Sequence, residues 1–444
     1  MAKKKETLTP EERLQAALVP ESEQPYPVPE NWCWTYLTKG AAECLDSFRK
    51  PINASERAKR EGDIPYYGAT GQVGWIDDFL TNEQLVLVGE DGAPFLDLIK
   101  DKAYIIEGKA WVNNHAHILR SRFGTVGNLF LMHYLNVFNY NDFVNGTTRL
   151  KLTQGSMDTM PVPIPPLTEQ QRIVNRIESL FAKLDEAKQK AQDALDSFET
   201  RKAAILHKAF TGELTAQWRK EHGVGMESWD NTTLSKIVIG FKYGTSEKSD
   251  YSYKGMPVFR IPNITDDGLS FEDLKFLSHK DISDENQIHE NDILIVRSNG
   301  SRELVGKSVL VPQLDREYAY ASFLIRIQPL ESVVPNYLVM YLNSTDARMQ
   351  MFKKAKSSAG INNINSKELG AILINLPSFS EQAEIVRILD NLLAKEQLAK
   401  EAAEGVLEQI DLIKKAILAR AFRGELGTND PGEESAVELL KQVL

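Results

Sequence analysis

The chain has 444 residues, of which 42% are hydrophobic and 26% charged, which predicts a globular protein of two or three domains. Its net charge of −10 disfavours broad non-specific affinity for nucleic acid, although it does not exclude a locally basic surface. Cys33 and Cys44 have no metal-ligand spacing, which indicates a reducing, cytoplasmic compartment. No apolar run is long enough to span a bilayer, and the first residues lack the apolar segment of a secretory signal.

The first predicted element is a short helix, followed by an extended linker. Thr9 precedes Pro10, and Glu12 lies three residues after Thr9. This is the pattern of an N-cap, a first-turn proline and a capping box, so it predicts a helix over 10–18. The prolines between 22 and 29 then predict an extended linker.

Two mixed domains follow, one before and one after the middle of the chain. In the first, runs of β-branched and aromatic residues at 73–76, 84–88 and 103–106 predict strands, and 126–138 predicts a helix. In the second, which follows a linker at 215–225, the predicted strands are 256–261, 292–296, 308–311 and 321–327, and the helix is 334–343. Phe130–Asn136 of the first domain is similar to Tyr337–Asn343 of the second.

A stretch of fifty residues occurs twice, at 165–214 and at 377–426. Glu169 corresponds to Glu381 and Phe210 to Phe422, so the offset is 381 − 169 = 212 at one end and 422 − 210 = 212 at the other. Each copy starts after proline and ends before a glycine, which predicts one long helix of about 60 Å. The predicted N-caps are Thr168, with Gln171 as its capping-box partner, and Ser380. Ala383 replaces that partner in the second copy.

Apolar residues recur along both copies in steps of three and four, which is the spacing of a coiled-coil seam. Leaving such a seam in water costs roughly 1.5–3 kcal/mol for each large side chain, so we expect the two copies to pack against each other. The alternative is that each copy pairs with another chain. Glu396 interrupts the stripe in the second copy. The residues expected in the helix–helix contact are Ile173, Ile177, Leu180, Leu184, Phe198, Ile385, Leu389, Leu392, Val406, Ile410 and Ile417.

The predicted fold class is α+β, with two mixed α/β domains separated by two long antiparallel coiled-coil helices that form a pseudo-two-fold internal repeat. Antiparallel helices would present the two domains in inverted orientation, which suits a double-stranded DNA target split into two half-sites. The predicted boundaries are 1–29 for the N-terminal helix and linker, 30–164 and 215–376 for the mixed domains, 165–214 and 377–426 for the long helices, and 427–444 for a short amphipathic tail helix.

The repeated helices, which run from Glu-Gln to Lys-x-Ala-Ile-Leu-x-x-Ala-Phe-x-Gly-Glu-Leu, resemble the long helical regions of type I restriction-modification specificity subunits. Leu8–Arg13, Pro25–Trp32, Ile64–Gly71 and Asn113–His117 also resemble that family, as does Phe259–Ile264 together with Asp292–Arg297. The likeness extends over essentially the whole chain.

This resemblance implies a subunit with two target recognition domains, each of which reads one half of a bipartite, asymmetric DNA target. It also implies that the helices set the spacing between the half-sites and hold two adenine-N6 methyltransferase subunits. Restriction-translocase subunits would join through those methyltransferases. No membrane partner is implied.

The sequence has no glycine-rich phosphate loop and no Asn-Pro-Pro-Tyr element of the kind that adenine methyltransferases use. We therefore expect no catalysis and no cofactor on this chain, with S-adenosylmethionine, ATP and Mg²⁺ bound by partner subunits. One alternative is a nuclease site in which Asp97, Glu107 and Lys109 hold Mg²⁺ beside a phosphate. Another is a coiled-coil scaffold that joins proteins without touching DNA.

Candidate DNA contacts are loop residues whose amide, hydroxyl, aromatic or basic groups can reach base edges and phosphates. Each could instead simply build a turn. In the first domain the candidates are Tyr66, Tyr67, Thr70, Gln72, Asn113, Asn114, His115, Arg149 and Lys151. In the second they are Arg260, Asn263, Arg297, Asn299, Ser301, Arg302, Ser357, Ser358, Asn362 and Asn363.

Two further expectations concern metal and affinity. His115 and His117 lie two residues apart on a predicted strand and could bind a metal, although Asn113 and Asn114 beside them favour DNA contact. Because neither domain is basic overall, we expect weak DNA binding by the chain alone. Sequence-specific binding would then need the methyltransferase, which would supply further phosphate contacts.

Overall fold

The computed structural model of the chain describes residues 9–280, 283, 286–358 and 360–444. The chain divides into two compact units, unit 1 from Met1–Gln192 with Glu404–Leu444 and unit 2 from Asp193–Ala403. Both units combine helices with strands. Among the described residues, none of the helices has the length and apolarity that crossing a bilayer requires.

The helices of the described ranges follow the predicted order. They are α1 (Pro10–Ala17), α2 (Ala54–Arg57), α3 (Gly124–Leu135), α4 (Gln154–Met157), α5 (Leu167–Asp196), α6 (Phe198–Phe210), α7 (Ala216–His222), α8 (Pro335–Leu342), α9 (Thr345–Lys354), α10 (Ser366–Gly370), α11 (Phe379–Ala421) and α12 (Ala436–Val443). At α1, the Thr9 side chain accepts a hydrogen bond from the Glu12 amide and the Glu12 side chain accepts one from Thr9, which confirms the predicted capping box.

The globular part of unit 1 contains two four-stranded sheets and one central helix. Its strands are β1 (Cys33–Tyr36), β2 (Ala42–Cys44), β3 (Ile64–Gly68), β4 (Gly71–Ile76), β5 (Thr81–Asn82), β6 (Leu85–Gly89), β7 (Ala103–Ile106), β8 (Lys109–Val112), β9 (Ala116–Ser121), β10 (Val144–Asn145), β11 (Lys151–Leu152) and β12 (Pro161–Ile164). One sheet has the order β2-β9-β6-β7 and the other β4-β3-β8-β5. Helix α3 packs against β6, β7 and β9 of the first sheet.

Unit 2 is built along similar lines from shorter strands. They are β13 (Asp230–Thr233), β14 (Val238–Tyr243), β15 (Pro257–Phe259), β16 (Ile264–Thr265), β17 (Gly268–Leu269), β18 (Lys275–Phe276), β19 (Ile293–Val296), β20 (Ser298–Asn299), β21 (Ser308–Leu310), β22 (Ala319–Tyr320), β23 (Leu324–Pro329), β24 (Lys356–Ser358), β25 (Ile361–Asn363) and β26 (Leu373–Leu376). The main sheet has the order β14-β23-β19-β21, and smaller sheets have the orders β18-β15-β22 and β20-β25-β24.

In each unit a strand pair closes the globular part, and a buried glutamate of the following long helix anchors it. Strands β1 and β12 pair in unit 1, and β13 and β26 pair in unit 2. Glu169 is fully buried and accepts a hydrogen bond from the Trp32 indole at 2.8 Å. Glu381 is also fully buried and accepts one from the Trp229 indole at 3.0 Å. The two units therefore use the same anchor at equivalent repeat positions.

The end of each long helix packs on the globular helix of the unit that contains it. Phe422 of the second copy contacts Phe130 at 5.0 Å and Tyr134 at 5.2 Å between ring centroids in unit 1. Phe210 of the first copy contacts Tyr337 at 5.4 Å and Tyr341 at 5.2 Å in unit 2. In both copies the helix is followed by a glycine with positive φ, 82° at Gly212 and 74° at Gly424, which confirms the predicted glycine stops.

Contacts between the two copies run antiparallel within each unit. In unit 1, Lys188 bonds Asp411 at 3.5 Å and Lys414 bonds Asp185 at 2.5 Å. In unit 2, Arg201 bonds Glu396 at 2.8 Å. The charged residue that interrupts the apolar stripe therefore has a cationic partner on the facing helix.

The residues predicted for the helix–helix contact differ in where they are buried. Ile173 and Ile177 lie in the core of unit 1, and Ile385 and Leu389 in that of unit 2. Phe198 and Ile410 are also buried, whereas Leu180, Leu184, Leu392 and Ile417 are half-buried. Val406 is 41% exposed, so it is not buried, and its place in the helix–helix contact stays a prediction. The start of each helix is thus buried by its globular part.

Four further predictions about the helices and the linker between them need correction. The first copy is interrupted at Ser197, whose hydroxyl donates to the Asp193 carbonyl at 2.8 Å and so competes with the helical hydrogen bonds. Helix α5 begins at Leu167, and Thr168 donates to Glu433 instead of capping. The second copy is capped by Ser378, which accepts a hydrogen bond from the Glu381 amide, rather than by Ser380. The linker predicted at 215–225 contains α7.

Candidate nucleic-acid interface

In unit 1, a short backbone segment at Glu90–Asp91 joins the two loops that contain most of the predicted DNA contacts. The Glu90 amide donates to the His115 carbonyl at 2.8 Å, and the Glu90 carbonyl accepts from the Leu152 amide at 2.7 Å. Asp91 also forms a β-bridge with Lys151. Residues 113–115 and 149–151, which are far apart in sequence, are therefore neighbours.

The basic side chains of these loops are paired with the two carboxylates between them. The Asp91 carboxylate lies 2.7 Å from Nδ1 of His115 and 3.0 Å from Nη2 of Arg149. The Glu90 carboxylate lies 2.9 Å from Nζ of Lys151. This hydrogen-bonded pair raises the pKa of Lys151. Two candidate cations, Arg149 and Lys151, and the ring of His115 thus converge on one acidic dipeptide.

Beneath this surface lies a more buried charge network. His117 is 1% exposed, with Nδ1 2.6 Å from Asp46 and Nε2 2.9 Å from the Leu152 carbonyl oxygen. Arg49 bonds both Asp46 and Glu90 and donates to the Ala116 carbonyl at 3.2 Å. Burial alone would raise the pKa of both carboxylates. The net shift is downward for both, because Asp46 has His117 and Arg49 beside it and Glu90 has Lys151 and Arg49 beside it.

The other candidates of unit 1 fall into exposed and buried groups. Thr70 is exposed in the β3–β4 turn, Gln72 is exposed on β4, and Asn114 is exposed in the 113–115 loop. Tyr66 is only 2% exposed and packs with Ile76 and Trp111 in a small core, so it is not available to DNA.

Tyr67 and Asn113 also serve the fold. Tyr67 is half-buried with its ring 5.9 Å from that of Tyr104, and burial raises its pKa. Asn113 is buried, and its side-chain oxygen accepts a hydrogen bond from the His115 amide at 2.8 Å. Asn113 is therefore a turn residue, contrary to the prediction.

In unit 2, six of the ten predicted contacts belong to one small sheet and the turn beside it. Asn299 of β20 pairs with Asn362 of β25, which in turn pairs with Ser357 of β24. The same register places Ser358 opposite Ile361 and Asn363 opposite Ser298. Asn299 accepts a hydrogen bond from the Ser301 amide at 2.7 Å. The buried side-chain oxygen of Asn363 has no hydrogen-bond partner.

The remaining candidates of unit 2 are held by the protein. Asn263 is 1% exposed and bonds the Arg260 amide and the Glu272 carbonyl, so it is a buried turn residue rather than a DNA contact. Arg260 bonds the Asp273 carboxylate at 3.2 Å.

Two arginines flank the small sheet. Arg297 lies 4.6 Å from the ring centre of Tyr243 and donates to the Ser322 carbonyl at 3.4 Å. Arg302 donates to the Phe352 carbonyl at 2.7 Å. Both guanidinium groups are therefore positioned by the fold next to the cluster of amide and hydroxyl side chains.

The catalytic and metal alternatives lack support from the geometry. Asp97 accepts hydrogen bonds from the Ile99 and Lys100 amides, Glu107 accepts one from Gln84, and Lys109 lies over Phe79. The three predicted nuclease residues therefore have separate partners.

The paired histidines are not one site either. His115 lies before the strand β9 rather than on it, and its ring bonds Asp91, whereas that of His117 bonds Asp46. In the described part of the chain, the one group with metal-ligand spacing is Asp46, Glu90 and His117. Arg49 already bonds both of its carboxylates.

Two sets of residues were missed from sequence. Glu90 and Asp91 were not among the predicted site residues, because the sequence alone does not show that Asp91 contacts side chains 24 and 58 residues away. In unit 2, Lys275 and Arg260 lie 4.9 and 5.7 Å from the exposed ring of Tyr251. A neighbouring cleft of about 720 Å³ is lined by Tyr253, Lys254, Phe276, Lys280 and Arg316. The available signal was a pair of tyrosines, Tyr251 and Tyr253, flanked by Lys248 and Lys254.

Comparison with known proteins identifies the family. The type I restriction modification DNA specificity domain matches residues 43–195 and again residues 226–408. The chain belongs to this family. Both matches begin within a globular part and extend into the long helix that follows it, so the family unit repeats as the sequence repeat predicted.

Relatives along most of the chain agree with this assignment. The type I restriction enzyme EcoKI specificity subunit of Escherichia coli (strain K12) is 28% identical over 331 residues, which are 71% of this chain and 70% of the relative. Because the relatives are specificity subunits, the expectation that the chain is a recognition subunit of this family rather than an enzyme is confirmed.

Solved structures share the fold. The HsdS subunit from Thermoanaerobacter tengcongensis aligns with a TM-score of 0.63 and 18% identity over 91% of this chain and all of that one. A chain from a structure that describes complex assembly and conformational transition of the type I R-M system aligns with a TM-score of 0.62 and 19% identity, covering 90% of this chain and all of that one.

Proposed function

We propose that this specificity-family chain is the sequence-reading subunit of a type I restriction-modification complex, with one globular part reading each half of a bipartite, asymmetric DNA target. The observation that supports this best is that the family domain occurs twice, each time with a cluster of exposed amide, hydroxyl and basic groups in its globular part. Such groups suit base edges and phosphates. Catalysis then belongs to partners.

The long helices would act as a coiled-coil spacer between the two readers. Antiparallel ion pairs join the two copies in each unit, and equivalent anchors, Glu169 and Glu381, fix where each helix leaves its globular part. In this proposal a pseudo-two-fold axis would relate the two readers, which would then face the DNA in inverted orientation. The gap between half-sites is then set by helix length.

The same helices would dock two adenine-N6 methyltransferase subunits, which bring S-adenosylmethionine, and through them restriction-translocase subunits with ATP and Mg²⁺. Helix α11 has exposed apolar side chains that no globular part covers. Leu398 is 65% exposed, Leu412 57%, Ile413 43% and Val406 41%. Apolar side chains in a row on an exposed helix face are typical of a surface that binds another helix.

A domain exchange tests the reading function. Residues 33–164, which the β1–β12 pair closes, are replaced by the equivalent segment of a specificity subunit that has a different target. With the partner methyltransferase present, we expect one half of the methylated sequence to change and the other to stay. Sequencing that detects methylated adenines measures the result.

The matched exchange replaces residues 230–376, which the β13–β26 pair closes, and is expected to change only the opposite half. A scaffold that does not touch DNA would leave both halves unchanged in both exchanges. A change in both halves after one exchange would contradict separate readers.

A further inference from the structure

The predicted DNA-facing cations of unit 1 are all occupied in the free protein. His115 and Arg149 share the Asp91 carboxylate, and Lys151 bonds Glu90. No comparable sharing links the arginines of unit 2 that are described above, because Arg260, Arg297 and Arg302 have separate partners. The arrangement is therefore a feature of one reader rather than of the repeat.

The carboxylates are fixed, whereas the cations can move. The side chains of Glu90 and Asp91 are 14% and 22% exposed, and those of His115, Lys151 and Arg149 are 40%, 50% and 62% exposed. Arg49 bonds Glu90 from the buried side, and backbone hydrogen bonds hold Glu90 to both loops. A cation that leaves its carboxylate therefore turns toward solvent, where DNA would lie.

We propose that Asp91 and Glu90 are specificity-determining positioning residues, which compete with DNA phosphates for the loop cations and so suppress binding to non-target DNA. This inference rests on the proposed function. When a cation binds a phosphate of non-target DNA, it exchanges one negatively charged partner for another. The net free energy gained from that contact is therefore small, because exposed ion pairs are worth at most about 1 kcal/mol. Target DNA adds contacts to base edges, and their free energy favours release of the cations from the carboxylates to the phosphates.

The test uses the full chain in complex with its methyltransferase and a fluorescently labelled mixed-sequence duplex without the target. For Asp91→Asn we expect non-target affinity at low salt to rise about two- to fivefold, the size expected when an exposed ion pair no longer competes. The slope of log affinity against log salt should steepen by about one, because one more cation is free to release a counterion. Affinity for the target duplex should change less, so the specificity ratio falls.

Glu83→Gln is the matched control. This substitution also removes one carboxylate, which in the parent chain pairs with Arg120 at 2.5 Å. Glu83 lies just before β6, whereas Asp91 lies beyond the other end of that strand. We expect no change in non-target binding beyond the small effect of one net charge. The Asp91→Glu variant keeps the carboxylate and should bind like the parent chain. Adding Arg149→Gln to Asp91→Asn should remove the increase in non-target affinity.

The outcomes separate the inference from the proposed function. If Asp91→Asn behaves like Glu83→Gln, or if it binds both duplexes more weakly and unfolds at a lower temperature, Asp91 has a structural role and the inference is wrong. If the parent complex does not prefer its methylated sequence over the mixed duplex, the proposed function itself is wrong.

Discussion

Individual polar residues were the hardest to assign from sequence, because a residue type does not reveal which of its hydrogen-bonding groups the fold already uses. Asn113 and Asn114 are adjacent and chemically identical, yet Asn113 is buried in a turn and Asn114 is exposed. Asn263 uses both ends of its amide within the protein. The loops were predictable as sets, whereas the residue that faces solvent depends on three-dimensional packing.

The buried network of unit 1 predicts a specific dependence of stability on pH. Because the pKa of Asp46 is lowered in the folded chain, its carboxylate contributes stability that is fully present above the unfolded pKa of about 3.9. That stability is lost as the pH falls through the lower, folded pKa. For Asp46→Asn we expect a loss of about 2–3 kcal/mol at pH 7, because His117 and Arg49 lose their charged acceptor.

Urea unfolding of both proteins between pH 7 and pH 3 measures this effect. The difference between parent and variant should be constant at neutral pH and shrink only below about pH 4. Asp77→Asn, which removes the exposed partner of Arg60, is the control and should cost less than about 1 kcal/mol. A difference that does not depend on pH would show that the charge of Asp46 is not what stabilises unit 1.

At the scale of elements, periodicity predicted the long helices and most strands, since long amphipathic stretches have few alternative structures. It could not distinguish an apolar position that faces the other helix from one that faces a globular core, because both repeat every three or four residues. Ile173 and Ile385 therefore resembled Ile410 in sequence, although they belong to the globular cores. The break at Ser197 depends on a local hydroxyl contact that periodicity ignores.

Two apolar positions one turn apart on α11 differ in burial and so test how strongly burial determines the cost of an introduced charge. Ile410 is 2% exposed and Val406 is 41% exposed. Ile410→Asp should destabilise unit 1 by more than about 3 kcal/mol, because it buries an unpaired charge, whereas Val406→Asp should cost less than about 0.5 kcal/mol. Thermal unfolding separates the two variants.

Val406→Asp has a second expected effect if the exposed face of α11 binds the methyltransferase. The variant should fold normally but co-purify less methyltransferase than the parent chain. Full assembly by a stably folded Val406→Asp variant would argue that the docking surface lies elsewhere.

At the scale of the whole molecule, duplication was readable because Glu169 and Phe210 of the first long helix recur as Glu381 and Phe422 of the second, both at an offset of 212 (381 − 169 = 212 and 422 − 210 = 212). The pairs Glu169 with Trp32 and Glu381 with Trp229 occupy the same places in the two units, as do Phe422 and Phe210. The globular parts diverged more, and their loops differ in how their cations are paired. The sequence could therefore predict the architecture, but not which loop cations pair with which carboxylates.

If the helices are a spacer, their length should determine the gap between half-sites. Lys188 pairs with Asp411 within unit 1, and Arg201 pairs with Glu396 within unit 2, so an insertion after Asp193 or after Gly405 falls between these pairs in its own copy. Seven residues inserted after Asp193 and seven after Gly405 should keep the seam in register and add about 10 Å. The gap in the methylated sequence should then lengthen by about three base pairs, at about 3.4 Å per pair.

One helical turn inserted after Asp193 alone is the contrasting variant. It shifts every facing pair beyond the insertion, so Arg201 no longer meets Glu396, and the complex should assemble poorly or read an altered gap. Sequencing of methylated adenines in cells that express each variant measures both effects. An unchanged gap in the paired insertion, together with full methylation by the single one, would mean that something other than the helices sets the spacing.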